Sequence, residues 1–175
     1  KQEGAKVYGC DIDSEAAETA AREHGVQLVG TEEIYDLPCD VFAPCALGAI
    51  LNPNTIPRLR CQIVAGAANN QLADEHRDGA ALHARGILYA PDFVINAGGL
   101  INVYNELAEK GYNQERAMRM TRGIYLNMMR VFDIAKTQGI STSQAAEQVA
   151  EERIERVQGV GCRRWGRLLE HHYRP

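Results

Sequence analysis

Short, mostly apolar runs recur along the first ninety positions of the chain, at Lys6–Asp11, Val26–Val29, Val41–Pro44, Ile63–Gly66 and Ile87–Tyr89. Strands with one wet face alternate apolar and polar residues, whereas unbroken apolar runs mark strands covered on both faces. Helical stretches separate them. Asp13 or Ser14 caps a helix through about Glu23, which Gly25 stops, and Thr31 caps one turn from Glu32 to Tyr35. A third helix covers Asp78 to Arg85 and ends at Gly86. Strand followed by helix, at intervals of about 20 to 25 residues, predicts parallel βαβ units in an open α/β sheet.

The run Ile87–Val103 is the most densely patterned stretch. Its strand is stopped by Pro91, which has no N–H for a ladder, and a short extended segment leads to Asn96-Ala97-Gly98-Gly99. An amphipathic helical pattern then begins at Leu100. Two glycines at a helix mouth permit a sharp bend or the close approach of another molecule. The stretch therefore reads either as a packing turn or as a ligand-facing loop carrying polar (Asn96, Asn102) and apolar (Leu100, Val103) side chains. Beyond Ala108 the period becomes purely helical. Asn113 caps a long helix whose apolar positions, Ala117, Met120, Ile124, Met128, Val131 and Ala135, form one face. Gly139 ends it, Ser141 or Thr142 caps another, and Val149, Ile154 and Val157 mark that helix's apolar side. The pair predicts a C-terminal helical hairpin.

At 175 residues the chain can bury one core. Its net charge of −4 speaks against nucleic acid, which requires a basic face. No apolar run approaches the roughly 18 residues of a membrane span. The cysteines at positions 10, 39, 45, 61 and 162 are odd in number and form no Cys-x-x-Cys, which fits small core residues in a reducing compartment. The tail from Arg153 carries six arginines with His171 and His172 and reads as a solvated end. The two histidines lack partners at ligand spacing, so no metal is expected. Lys1-Gln2-Glu3-Gly4 looks like the end of a helix, from which we expect a chain that begins mid-domain in a longer protein.

Ligands of open α/β sheets bind at the carboxyl ends of the strands, and the polar clusters here fall at those ends: Asp11, Cys45-Ala46, Asn69-Asn70 and Asn96. An acid after the second strand of a nucleotide-binding half accepts hydrogen bonds from ribose hydroxyls and repels a 2′-phosphate. Asp11 suits that role or that of a helix cap. The Gly-rich loop that ought to precede it is not in this sequence. The carboxamides of Asn69, Asn70 and Asn96 both donate and accept, as an amide ligand requires, and equally suit caps and turns. No nucleophile stands beside a base. His24, His76 and His83 fall on polar helices and read as surface residues.

Three motifs in order, Asp40-Val41-Phe42-Ala43-Pro44-Cys45-Ala46-Leu47-Gly48, Ile63-Val64-Ala65-Gly66-Ala67-Ala68-Asn69-Asn70-Gln71-Leu72 and Tyr89-Ala90-Pro91-Asp92-Phe93-Val94-Ile95-Asn96-Ala97-Gly98-Gly99, resemble a known family. It is that of the glutamate, leucine, phenylalanine and valine dehydrogenases, with the bacterial leucine branch nearest. The likeness extends from about Gly4 to Arg156. It implies a truncated Rossmann-type doubly wound sheet followed by the helical hairpin. Residues 1–108 would be a partial dinucleotide-binding domain without its first strand and Gly-rich loop, residues 109–157 the closing helices and residues 158–175 a basic tail. The activity implied is oxidative deamination of a branched-chain, leucine-like amino acid with NAD, in a cytoplasmic homo-oligomer without nucleic-acid or membrane partners. Phenylalanine and valine dehydrogenases, or a non-catalytic nucleotide-binding module, are the alternatives. By the same resemblance Asp11 holds the adenine ribose, Ile12 packs on adenine, and Cys45 and Ala46 line the adenosine side. Asn70 and Asn96, with Asn69 beside them, lie by the nicotinamide, and Leu100 and Val103 face the substrate side chain. The catalytic lysine and aspartate of the family belong to a domain absent from this sequence, so the chain alone is expected to be inactive.

Overall fold

The computed structural model describes residues 4–108 and 111–172, with side chains as far as residue 158. Two compact units divide the chain, Lys1–Asn96 and Ala97–Pro175. The first alternates strands β1 (Tyr8–Gly9), β2 (Gln27–Leu28), β3 (Val41–Phe42), β4 (Ile63–Val64) and β5 (Leu88–Tyr89) with helices α1 (Ser14–His24) and α2 (Glu75–Ala84). It ends in a short helix, α3 (Asp92–Ile95). All pairings of these strands are parallel, as expected, but the expected cover on both faces is not found, since Leu28, Val41 and Leu88 are exposed. They form two ladders rather than the single open sheet expected: β1 pairs with β2, and β4 lies between β3 and β5. Val41, Ile63 and Leu88 are in register, as are Phe42, Val64 and Tyr89.

Phe42, Val64 and Tyr89 sit on the buried face of the larger ladder. With Leu51, Ile56, Leu59, Cys61, Leu72, Leu82 and Ile87 they make up its core. Cys61 alone of the described cysteines is buried; Cys10 and Cys39 are half-buried and Cys45 is exposed, all as free thiols. The expectation of core cysteines therefore holds at one position, because the others stand at strand ends where cover is thin. Cys162 lies outside the described side chains.

Local chemistry explains most boundaries. Asp13 accepts from the backbone N–H groups of Glu15 and Ala16 and so starts α1, while Gly25 closes it in the left-handed conformation at φ 62°. Helix α2 starts three residues before the expected Asp78, because Asp74 accepts the Arg77 N–H at 2.8 Å and caps it there. The turn after Thr31 is a 3-10 turn, Glu33–Asp36, held by the Glu33 carboxylate on the Gly30 N–H rather than by Thr31. The segment after Pro91 is helical, not extended. The Pro91 carbonyl accepts from Val94 and Ile95, and this turn overrides the β propensity of Val94 and Ile95.

The second unit contains α4 (Gly98–Glu106), α5 (Gln114–Gln138) and α6 (Thr142–His172). Asn113 caps α5 through the Arg116 N–H, and Gly139 ends it at φ 67°. Ser141 and Gln144 form a reciprocal cap for α6, the Ser141 hydroxyl accepting the Gln144 N–H and the Gln144 Oε1 accepting the Ser141 N–H. Helices α5 and α6 pack as the expected hairpin, with Ala117, Met128, Val131 and Ala135 buried on α5 and Ala145 and Ala146 on α6. Arg130 and Glu152 pair across it. The apolar stripe runs on past this contact: Ile154 and Val157 are exposed, and so in part is Met120. Buried Asn105 ties α4 to α5, accepting from the Arg116 guanidinium. Among the described residues no helix is long and apolar enough to cross a membrane.

Candidate functional site

The carboxyl ends of β3, β4 and β5 carry three loops packed onto one another. At the first, Gly66 presses on the turn after β3: a Cβ there would lie 2.1 Å from the Pro44 carbonyl oxygen, so only glycine fits. Ala68 donates its N–H to that same carbonyl at 3.0 Å. The loop beyond Cys45 is held in turn, since Ala49 donates to the Asn70 carbonyl and a Cβ on Gly48 would lie 2.7 Å from it. Asn70 adopts the left-handed conformation at φ 51°, which asparagine tolerates better than most residues. Cys45, Ala46, Asn69 and Asn70 are all exposed at this end of the ladder.

Asn96, at the end of α3, donates its side-chain Nδ2 to the Ala68 carbonyl at 2.8 Å. Its Oδ1 then remains the unused acceptor among the described residues. The β4 and β5 loops are thus joined through one carbonyl. Beneath them Asp92 is buried, accepting from the Gln71 N–H at 2.8 Å and the Phe93 N–H at 2.6 Å. Burial first, and the neighbouring Asp92 charge second, push the Tyr89 hydroxyl well above its ordinary range, so it stays protonated.

Asp11 and Ile12 follow β1, in the other ladder. Both are exposed, Ile12 at 95%. The cap reading of Asp11 is answered by Asp13, which performs that task for α1. Asp11 Oδ1 accepts the Asp13 N–H at 2.9 Å, which orients the carboxylate and leaves Oδ2 unused among the described residues. The Cys10 thiol beside it is pushed up by burial and by the Asp11 charge, which argues against a reactive thiolate.

In the second unit, α4 begins at Gly98, two residues before the expected Leu100. Neither glycine of the pair has a positive φ, and a Cβ on either would meet nothing within 4 Å. The expected sharp bend is absent, because the chain enters α4 directly from an Ala97 already in helical torsion. Leu100 and Val103 lie three apart on α4, 75% and 50% exposed, an apolar pair with no cover among the described residues of its own helix. Asn102 pairs with Glu106 on another side.

His24, His76 and His83 are exposed on α1 and α2. No group of three or more His, Cys, Asp or Glu able to hold a metal occurs among the described residues. Sequence reasoning passed over Gln71 and Asp92. Their partners lie 21 residues apart, and a polar residue amid apolar neighbours gives no periodic signal of its own.

The family model of the glutamate/leucine/phenylalanine/valine dehydrogenases matches residues 8–160. The leucine dehydrogenase of Thermoactinomyces intermedius is 56% identical over 153 residues, covering 87% of this chain and 41% of that protein. The L-tryptophan dehydrogenase of Nostoc punctiforme is 52% identical over 149 residues, covering 85% and 42%. A crystal structure of L-tryptophan dehydrogenase from Nostoc punctiforme matches with a TM-score of 0.80 at 51% identity, over 85% of this chain and 44% of that one. A hetero-hexameric glutamate dehydrogenase from Thermus thermophilus shares the fold, with a TM-score of 0.62 at 22% identity. The chain spans about two fifths of the length of the curated relatives it matches. With most of its residues inside the family model and half or more identical to these relatives, the chain belongs to the glutamate/leucine/phenylalanine/valine dehydrogenase family.

Proposed function

We propose that this chain is the dinucleotide-binding part of an NAD-dependent L-amino-acid dehydrogenase that oxidatively deaminates a branched-chain, leucine-like substrate. The observation that carries the reading is the pair of carboxamides, Asn70 and Asn96, on interlocked loops at the carboxyl ends of β4 and β5. The ladder topology supports it further. A doubly wound Rossmann sheet has the order 3-2-1-4-5-6, and taking out strand 1 leaves a two-stranded and a three-stranded parallel ladder. That division matches β1-β2 and β3-β4-β5. On this reading residues 1–108 are the partial dinucleotide domain, residues 109–157 its closing helices and residues 158–175 a basic tail.

The chain's own groups suit the cofactor. Asp11 Oδ2 accepts from the adenine ribose hydroxyls, and its charge repels a 2′-phosphate, favouring NAD over NADP. Exposed Ile12 covers the adenine face, and Cys45 and Ala46 line the adenosine side. Asn69, Asn70 and Asn96 take the nicotinamide end, Asn96 with its oxygen as acceptor. NAD, when bound, supplies the acceptor for the substrate's Cα hydride. Leu100 and Val103 offer an apolar wall to the substrate side chain. Burying a glutamate carboxylate there without a partner costs several kcal/mol, so an apolar substrate is favoured. The proton-transferring lysine and aspartate come from the rest of a full-length, cytoplasmic, oligomeric enzyme. A second reading, an aromatic substrate, is favoured by the identity to the tryptophan dehydrogenase, only four points below that to the leucine enzyme (56 against 52).

The test is a chimera in which this chain replaces the matching 153 residues of the Thermoactinomyces intermedius leucine dehydrogenase. We expect NAD reduction with leucine and valine, weaker reduction with NADP and none with glutamate. A higher kcat/KM for phenylalanine or tryptophan than for leucine establishes the second reading. A folded chimera without turnover on any apolar amino acid overturns both.

A further inference from the structure

Two buried polar side chains beneath the site have no assigned contact with cofactor or substrate, Gln71 at 0% and Asp92 at 5% exposure. Asp92 pairs with no cation among the described residues. Its carboxylate is held by the N–H groups of Gln71 and Phe93, while its own N–H donates to the Tyr89 hydroxyl oxygen at 3.3 Å. Gln71 turns its side chain back beneath its own loop, donating Nε2 to the Gly66 carbonyl at 2.9 Å and to the Ala68 carbonyl at 2.8 Å. The Ala68 carbonyl is also the acceptor for Asn96 Nδ2. A continuous set of hydrogen bonds therefore runs from Asp92 through Gln71 and Ala68 to the Asn96 carboxamide.

The cost of this arrangement is informative. Gln71 Oε1 is buried with no partner, a loss that an apolar side chain of equal size would avoid. Gln71 is worth having for its NH2 group, which fixes two carbonyls of the loop. A buried carboxylate likewise costs more than a neutral residue unless its hydrogen bonds are needed. Gln71 acts on the Ala68 carbonyl directly and Asp92 acts through the Gln71 N–H, and that carbonyl, an acceptor, takes the nitrogen end of Asn96. With one Nδ2 hydrogen committed to Ala68, the orientation of the carboxamide is fixed, and its oxygen and second Nδ2 hydrogen are what remain for a ligand.

We propose that Gln71 and Asp92 are positioning residues that lock the 66–71 loop and set the polarity of the Asn96 carboxamide for the nicotinamide end of the cofactor. The inference rests on the dinucleotide reading above. ADP-ribose contains everything in NADH except the nicotinamide, so the two ligands separate positioning from general damage. In the full-length chimera, Gln71→Met and Asp92→Asn should each weaken NADH binding about tenfold, while ADP-ribose affinity changes less than about twofold. Equal loss of both ligands, or loss of neither, overturns the positioning role. An unsubstituted chimera that binds neither ligand overturns the dinucleotide reading itself, and this inference with it. A readout independent of any variant comes from NMR of the 175-residue chain, where the Asn96 side-chain amide protons should exchange with solvent more slowly than those of exposed Asn69. Equal exchange at the two positions removes the lock.

Discussion

Gly66 has no positive φ, so conformational freedom is not what its missing side chain provides. What it provides is room: a methyl group there would sit 2.1 Å from the Pro44 oxygen and within 2.4 Å of the Pro44 nitrogen, both backbone atoms that cannot swing aside. Gly66→Ala should therefore lower stability by roughly 1–3 kcal/mol, as overpacking of a tight site does, and loosen the Cys45 and Asn69 loops together. Urea denaturation of the two proteins measures this, and an unchanged midpoint refutes the contact. The candidates that sequence offered, Asp11, Asn70 and Asn96, are those recognisable by residue type and position after a strand. Gln71 and Asp92 were not legible in the same way. Their value lies in partners that the chain's fold, not its local pattern, brings within 3 Å.

Helix α2 illustrates what decides an element. Asp74 caps it, and Asp78 answers by accepting the Asp74 N–H at 2.9 Å while its other contacts go to the Arg77 guanidinium at 2.8 Å. Burial draws the Asp78 carboxyl upward, but the Arg77 hydrogen bonds and the Asp74 N–H outweigh it and hold the group below the ordinary carboxylate range. A lowered folded-state pKa contributes stability that is present above the unfolded pKa, about 3.9, and is lost as pH falls through the folded value. Asp78→Asn should thus be destabilising near neutral pH, with the difference from the unsubstituted chain shrinking below about pH 4. Unfolding midpoints at both pH values check this, and a difference that grows in acid contradicts it. Caps formed within four residues, at Asp13, Asn113 and Gly139, were readable from sequence because both partners are local. The earlier start of α2 was not, although its Asp74 cap is equally local, because Asp78 offered a competing start. The helical turn at Asp92–Ile95 was not either, since buried Asp92 is held by the distant Gln71 N–H against the β propensity of Val94 and Ile95.

At the scale of the whole molecule, apolar side chains without cover stand on both α4 and α6. Leu100 and Val103 on α4, and Ile154 and Val157 on α6, are exposed in a chain that spans about two fifths of its relatives' length. The 175-residue chain by itself should accordingly show no leucine-dependent formation of NADH; measurable NADH absorbance from the purified chain contradicts the assignment of proton transfer to residues outside it. By itself the sequence determined the parallel α/β class, the helical hairpin, the family and the placement of polar residues at strand ends. Each of these depends on period, caps or motif order, which are short-range properties of the chain. Only the tertiary structure decided that the strands form two ladders, that Gly66 and Gly48 are steric rather than torsional glycines, and that one Asn96 amide hydrogen is already engaged. These depend on which backbone atoms from distant segments come within a few ångströms, a matter of close packing and buried hydrogen bonds.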